Sequence, residues 1–95
     1  MLHIVSHTSC QFDTQIFLNS VCDADAVLFI QNGVSMAVSG NSLLLSIVEK
    51  GASIYALRDD LEARGLLPFV SAQAISISYE QFVDLTVENK PQILW

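Results

Sequence analysis

The stretch Tyr55-Ala56-Leu57-Arg58-Asp59-Asp60-Leu61-Glu62-Ala63-Arg64-Gly65-Leu66 holds a strand ending, a helix start and a helix stop in succession. Ile54 to Leu57 close an apolar run. Asp59 and Asp60 are expected to cap the following helix, Leu61 to Arg64, by accepting bonds from its free N–H groups. Gly65 then supplies a left-handed stop. Asp60→Ala is accordingly expected to loosen this helix by about 1 kcal/mol. A switch of this kind lies at the carboxyl end of a strand, where open α/β sheets place ligands and partners.

The same punctuation recurs on both sides. Leu2 to Val5 read as a first strand, and Ser6 to Phe12 as a polar loop carrying His7 and Cys10. Asp13 can cap a helix reaching about Val21, with Ile16, Phe17 and Val21 turned inward. Ala26 to Ile30 form an unbroken apolar run, as a strand covered on both faces requires, and Asn32-Gly33 ends it with turn chemistry. Val34 to Val38 suit a short helical turn. Gly40-Asn41-Ser42 opens a helix with Leu43, Leu44, Ile47 and Val48 at helical spacing, and Lys50-Gly51 stops it. Ser53 to Leu57 are a third strand and Ala74 to Ile77 a fourth, with Pro68 in the loop between. Ser78 and Gln81 have capping-box spacing, and the helix they open is expected to bury Tyr79, Phe82, Val83 and Thr86. Pro91 ends it, leaving Ile93-Leu94-Trp95 as an apolar tail. Strands alternating with helices predict a parallel sheet with helices on both faces, a single α/β domain over 1–95.

Composition narrows the function. The 95 residues are 52% hydrophobic and only 15% charged, with a mean hydropathy of +0.47. That is more apolar material than one small core consumes, and it favours a subunit that buries surface against partners. The net charge is −6, and the basic residues are only Lys50, Arg58, Arg64 and Lys90. Phosphate binding needs clustered cations, so direct contact with nucleic acid is not expected, whereas a basic protein partner is. The first residues lack the basic and apolar regions of a secretory signal, and no apolar run would span a bilayer. Cys10 and Cys22 are therefore read as free thiols of a reducing compartment.

Among candidate reacting groups, Cys10 stands out by position, in the loop after the first strand. A persulfide-carrying thiol needs a lowered pKa, and only His7 is near in sequence to provide it, while Asp13 opposes it. The preferred reading of Cys10 is an incidental, semi-buried thiol. Cys22 follows the first helix and reads as a packed structural residue. His3 is most simply a packed or edge strand histidine and His7 a solvent-exposed one. Neither a zinc spacing nor a phosphate or dinucleotide motif occurs, so no metal and no cofactor are expected. Asp59, Asp60 and Glu62 solvate and cap a helix rather than catalyse. Trp95, preceded by Ile93 and Leu94, is expected to dock on the core or in a subunit interface.

Taken together, Met1-Leu2-His3, Gln31-Asn32-Gly33-Val34, Ala37-Val38 with Gly40-Asn41, Tyr55-Ala56-Leu57, Asp60-Leu61 with Ala63-Arg64-Gly65-Leu66, Tyr79 with Phe82-Val83 and Leu85-Thr86-Val87, and Gln92 with Trp95 resemble the TusB/DsrH family over essentially the whole chain. The resemblance implies a small flavodoxin-like three-layer α/β domain with a mostly parallel sheet. It also implies a subunit of a cytoplasmic sulfur-relay complex, a heterohexamer with TusC-like and TusD-like partners. That complex takes persulfide sulfur from TusA and passes it to TusE, toward 2-thiolation of the wobble uridine of certain tRNAs. The main sulfur-carrying cysteine belongs to the TusD-type subunit, so no catalytic residue is transferred here. Alternatives are a sulfurtransferase acting through Cys10, and a DsrEFH-type subunit of dissimilatory sulfur metabolism. A generic small-ligand module is a third. Ser9-Cys10 stands where many members have Ser-Pro, and Asn32 where an Asp is usual. Without its partners the chain is expected to be able to self-associate.

Overall fold

A computed structural model describes residues 1–8, 10–89 and 91–95; Ser9 and Lys90 lie outside the described residues, and with Ser9 the sequence departure read there. Five strands, β1 (Leu2–Val5), β2 (Ala26–Phe29), β3 (Ser53–Leu57), β4 (Ala74–Ile77) and β5 (Gln92–Leu94), make one sheet in the order β4-β3-β2-β1-β5. Every pairing is parallel. Helices α1 (Thr14–Ser20), α2 (Ser42–Glu49), α3 (Arg58–Ala63) and α4 (Tyr79–Glu88) and two 3-10 segments, Gln31–Ala37 and Leu67–Phe69, connect them. No helix among the described residues is long and apolar enough to cross a membrane.

Strand order dictates the layers. The chain steps from β1 to β4 in one direction, and right-handed crossovers then put all those connections on one face. The return from β4 to β5, at the far side of β1, carries α4 over the opposite face. The two apolar clusters follow this division. Val5, Val27, Phe29, Ile54 and Ala56 pack with Phe17, Val34, Leu44, Ile47 and Leu61 on the first face. Leu2, Ala26, Leu28 and Ile77 pack beneath Phe82 and Leu85 of α4 on the second. The result is a three-layer α/β domain, as the sequence predicts, with every strand parallel. β2 is buried at all four positions because both layers cover it.

The caps explain the helix starts. Asp13 accepts from the Gln15 and Ile16 N–H groups, Asn41 from those of Leu43 and Leu44, and Ser78 and Gln81 close a capping box. Gly65 has φ 67 and ends α3 as expected. Gly33 admits a close approach: a Cβ there would collide with the Val5 carbonyl.

Several expectations need correction. The helix after β3 begins at Arg58 directly on the strand, with Leu57 at its cap and no side-chain cap bond. Asp59 and Asp60 therefore lie inside the first turn instead of capping it. Asp60 reaches across to the 3-10 segment, where it accepts from the Gln31 N–H at 2.6 Å and holds that residue at φ 51. Arg64 donates to Asn32 Oδ1 at 3.0 Å and lies 3.8 Å from Asp60, so α3 and the carboxyl end of β2 are tied together. Ile16, Tyr79 and Val83, expected inside, are exposed. The apolar tail is no tail: residues Gln92–Leu94 pair with Leu2–Ile4 as the fifth strand.

Asp60→Ala should thus leave α3 helical but free the Gln31 turn. A loss of about 1–2 kcal/mol in urea unfolding, with faster amide exchange at Gln31 and unchanged exchange in α3, is the expected outcome. Faster exchange confined to α3 would restore the capping role.

Candidate functional site

In an open parallel sheet the ligand crevice lies at the carboxyl ends of the strands, where the strand order reverses. Here that switch point falls between β1 and β5. Its wall is the loop after β1, with Ser6, His7 and Cys10, and its neighbour is the 3-10 segment after β2. Val5 closes onto that segment by accepting from the Ile30 N–H at 2.9 Å.

Trp95 occupies this position. Its backbone N–H donates to the Ile4 carbonyl at 2.7 Å, and its own carbonyl accepts from the Ser6 N–H at 3.0 Å. The Ser6 hydroxyl and His7 Nδ1 reach the same carbonyl at 3.2 and 3.1 Å. The indole turns back under α1, edge-on to Phe17 with ring centroids 5.3 Å apart, and beside Phe12. Trp95 Nε1–H donates to His3 Nδ1 at 3.2 Å.

His3 is completely buried, and its ring is held at both ends. An indole N–H can only donate, so Nδ1 must be the accepting nitrogen. Nε2 then carries the hydrogen and donates to Asp25 Oδ2 at 3.0 Å. Asp25, itself buried, also accepts from the Cys22 N–H at 2.9 Å and from the Met1 amino group at 3.2 Å. Burial works against its charge. The bonds from Cys22, His3 and the Met1 amino group outweigh that and hold its carboxyl below the usual aspartate range. A continuous chain of polar contacts thus runs from Met1 through Asp25 and His3 to Trp95. It cannot relay a proton, because the indole at its end neither accepts nor readily releases one.

The sequence-selected residues scatter around this core. Cys10 and Cys22 are both free and both exposed. For Cys10 this corrects the semi-buried reading and for Cys22 the packed one; the Cys22 thiol makes a long contact, Sγ to the Ser20 carbonyl at 3.8 Å. His7 is exposed as expected, yet it is engaged on Trp95. Among the described residues no group of three or more His, Cys, Asp or Glu could hold a metal ion. An open cavity of about 390 Å³ lies between the first turns of α1 and α2, lined by Thr14, Leu18, Asn41, Ser42, Leu43 and Ser46. It contains neither cysteine, neither histidine and no charged side chain. Asp25 is the residue sequence reasoning passed over. The signal was indirect: a histidine on the first strand of a doubly covered sheet needs a buried partner, and Asp25 precedes the strand that pairs with it.

Residues 8–92 match the family described as DsrH like protein. The chain is 39% identical over 95 residues to Protein TusB of Photorhabdus laumondii, covering 100% of both. It is 36% identical, again over 100% of both chains, to Protein TusB of Salmonella arizonae. The YchN protein of E. coli shares the fold with a TM-score of 0.75 at 10% identity, covering 99% of this chain and 97% of that one. Protein Tm0979 of Thermotoga maritima does so with a TM-score of 0.67 at 25% identity and 95% of each chain covered.

The lowered Asp25 value fixes a pH dependence. The stability it lends is complete above the unfolded aspartate value of about 3.9 and is lost as pH falls through that value toward the lower folded one. Asp25→Asn should flatten this acid limb in urea unfolding and reduce stability at neutral pH, where wild type keeps the full charge. An acid limb identical to wild type would remove Asp25 from the account.

Proposed function

We propose a role that proceeds from descent: this chain belongs to the DsrH-like protein family, and it serves as a non-catalytic, architectural subunit of a TusBCD-type sulfur-relay complex. The whole of residues 1–95 acts as one domain in a cytoplasmic heterohexamer with TusC-like and TusD-like subunits. The complex receives persulfide sulfur from TusA and delivers it to TusE, toward 2-thiolation of the tRNA wobble uridine. The observation that carries this reading is the occupied switch point. The position where a sheet of this kind would seat a ligand is filled by the protein's own Trp95, bonded to Ser6, His3 and Ile4. An architectural subunit loses nothing by closing that crevice.

A second reading keeps one supporting fact, the exposure of Cys10 in the loop after β1. In it, the Cys10 thiolate attacks the terminal sulfur of a donor persulfide, takes that sulfur as its own persulfide and releases the donor thiolate. The architectural reading needs neither thiol. Co-expression with TusC-type and TusD-type subunits should give one stable complex. The double variant Cys10→Ser, Cys22→Ser should assemble equally and support wild-type levels of 2-thiouridine, measured by mass spectrometry of tRNA nucleosides. Loss of 2-thiouridine from Cys10→Ser in an intact complex would establish the second reading in its place.

A further inference from the structure

We propose that the layer formed by α4 and β5 is the docking face for a non-identical protein subunit, whose matching surface is apolar in the centre and carries Lys or Arg along one margin. The inference rests on the functional reading above and assigns its heteromeric contact to one face of the fold.

The topology leaves this face thinly covered. All the other helices lie on the opposite side of the sheet, and α4 alone crosses this one, above Leu2, Leu28 and Ile77. It turns Phe82 and Leu85 inward. That leaves a second apolar row largely exposed, with only Tyr79 among the described residues meeting Phe82 edge-on, ring centroids 5.6 Å apart. Tyr79, Val83 and Val87, spaced i, i+4 and i+8, are 55, 44 and 67% exposed. This row lies on the flank toward β5, because the opposite flank, Gln81, Asp84 and Glu88, lines the cleft over Tyr55 and Ile77. On the β5 side Gln92 Nε2 donates to the Thr86 carbonyl at 2.6 Å. Leu94, 69% exposed, shares the Gln92 face of its strand and extends the row onto the sheet. A single exposed leucine or valine is unremarkable. Four apolar side chains, Tyr79, Val83, Val87 and Leu94, on adjoining positions of a helix and its neighbouring strand form a continuous patch.

Charge selects the occupant. Beside the apolar row runs an acidic one, Glu80, Asp84 and Glu88, with the same spacing. All three are exposed, and none makes an ion pair within the described residues. A second copy packed antiparallel across a twofold axis would set both acidic rows on the same margin, and each copy carries a net charge of −6. Like charges at that spacing oppose self-association. Anionic bilayers and nucleic acid are repelled for the same reason; amphipathic helices that lie on membranes bear basic polar faces, not acidic ones. A basic-margined protein surface satisfies both rows at once.

The test uses the full chain co-expressed with TusC-type and TusD-type subunits. Val83→Glu with Val87→Glu should leave the circular dichroism spectrum unchanged, since both side chains are exposed, and cut co-purification at least tenfold. The triple reversal Glu80→Lys, Asp84→Lys, Glu88→Lys should weaken assembly at least tenfold at low salt, and less at high salt. Phe69→Glu, exposed on the other layer, should assemble as wild type. Wild type that fails to assemble overturns the functional reading and this inference with it. Wild type that assembles together with both α4 variants overturns this inference alone. A wild-type homodimer broken by Val83→Glu would assign the face to a second copy and contradict the heteromeric occupant.

Discussion

A buried imidazole must satisfy two ring nitrogens away from water, and in this protein that requirement joins the two ends of the sequence. Leaving either nitrogen unpaired would cost about 1–3 kcal/mol. His3 meets Asp25 on one side and the Trp95 indole on the other. Because the indole can only donate, the arrangement admits a single tautomer, and that tautomer presents its hydrogen to the carboxylate. Asp25 in turn collects the Met1 amino group and the Cys22 N–H. β1, β2 and β5 are therefore locked in register by side chains as well as by their ladders, and Phe17 brings α1 onto the same cluster through edge contacts to both rings.

The consequences reach the carboxyl ends of the strands. Holding Trp95 at its backbone and its indole places an aromatic residue at the carboxyl ends of β1 and β5, where the strand order reverses and an open sheet would seat a ligand. What remains exposed at the carboxyl ends is chemically quiet. Cys10 lies in an exposed turn, His7 is engaged on a carbonyl, and Asp60 and Arg64 are spent on the backbone and side chain of the 3-10 segment. Surface suited to association lies elsewhere, on the side of the sheet that one helix cannot cover. The excess apolar composition and the acidic balance both reach the surface there, as parallel rows on α4.

Much of this architecture was legible because it is local. Asp13, Asn41 and Ser78 announce helix starts through bonds to residues two or three positions on, and the apolar runs at Ala26 and Ser53 are bounded by turn residues. The failures share a cause, the dominance of distant partners. Asp60 looks like a cap from its neighbours, but Arg58 already stands in the helix and the carboxylate finds Gln31, 29 residues away. β5 is three residues long and becomes a strand only because Leu2–Ile4 are waiting beside it. Helical spacing identified the apolar positions of α4 but could not reveal that a lone helix on its face buries one row and exposes the next. Asp25 was silent because two of its partners, Met1 and His3, lie more than 20 residues away at the start of the chain.

The central claim, that Trp95 is locked onto His3 and thereby fills the switch point, is tested most directly by the nitrogen NMR spectrum of the His3 ring at neutral pH. The account predicts a neutral ring with hydrogen on Nε2 and a bare, hydrogen-bonded Nδ1, the state changing when Trp95 is replaced by Phe, which packs but cannot donate. A hydrogen on Nδ1 in the wild-type protein would contradict it.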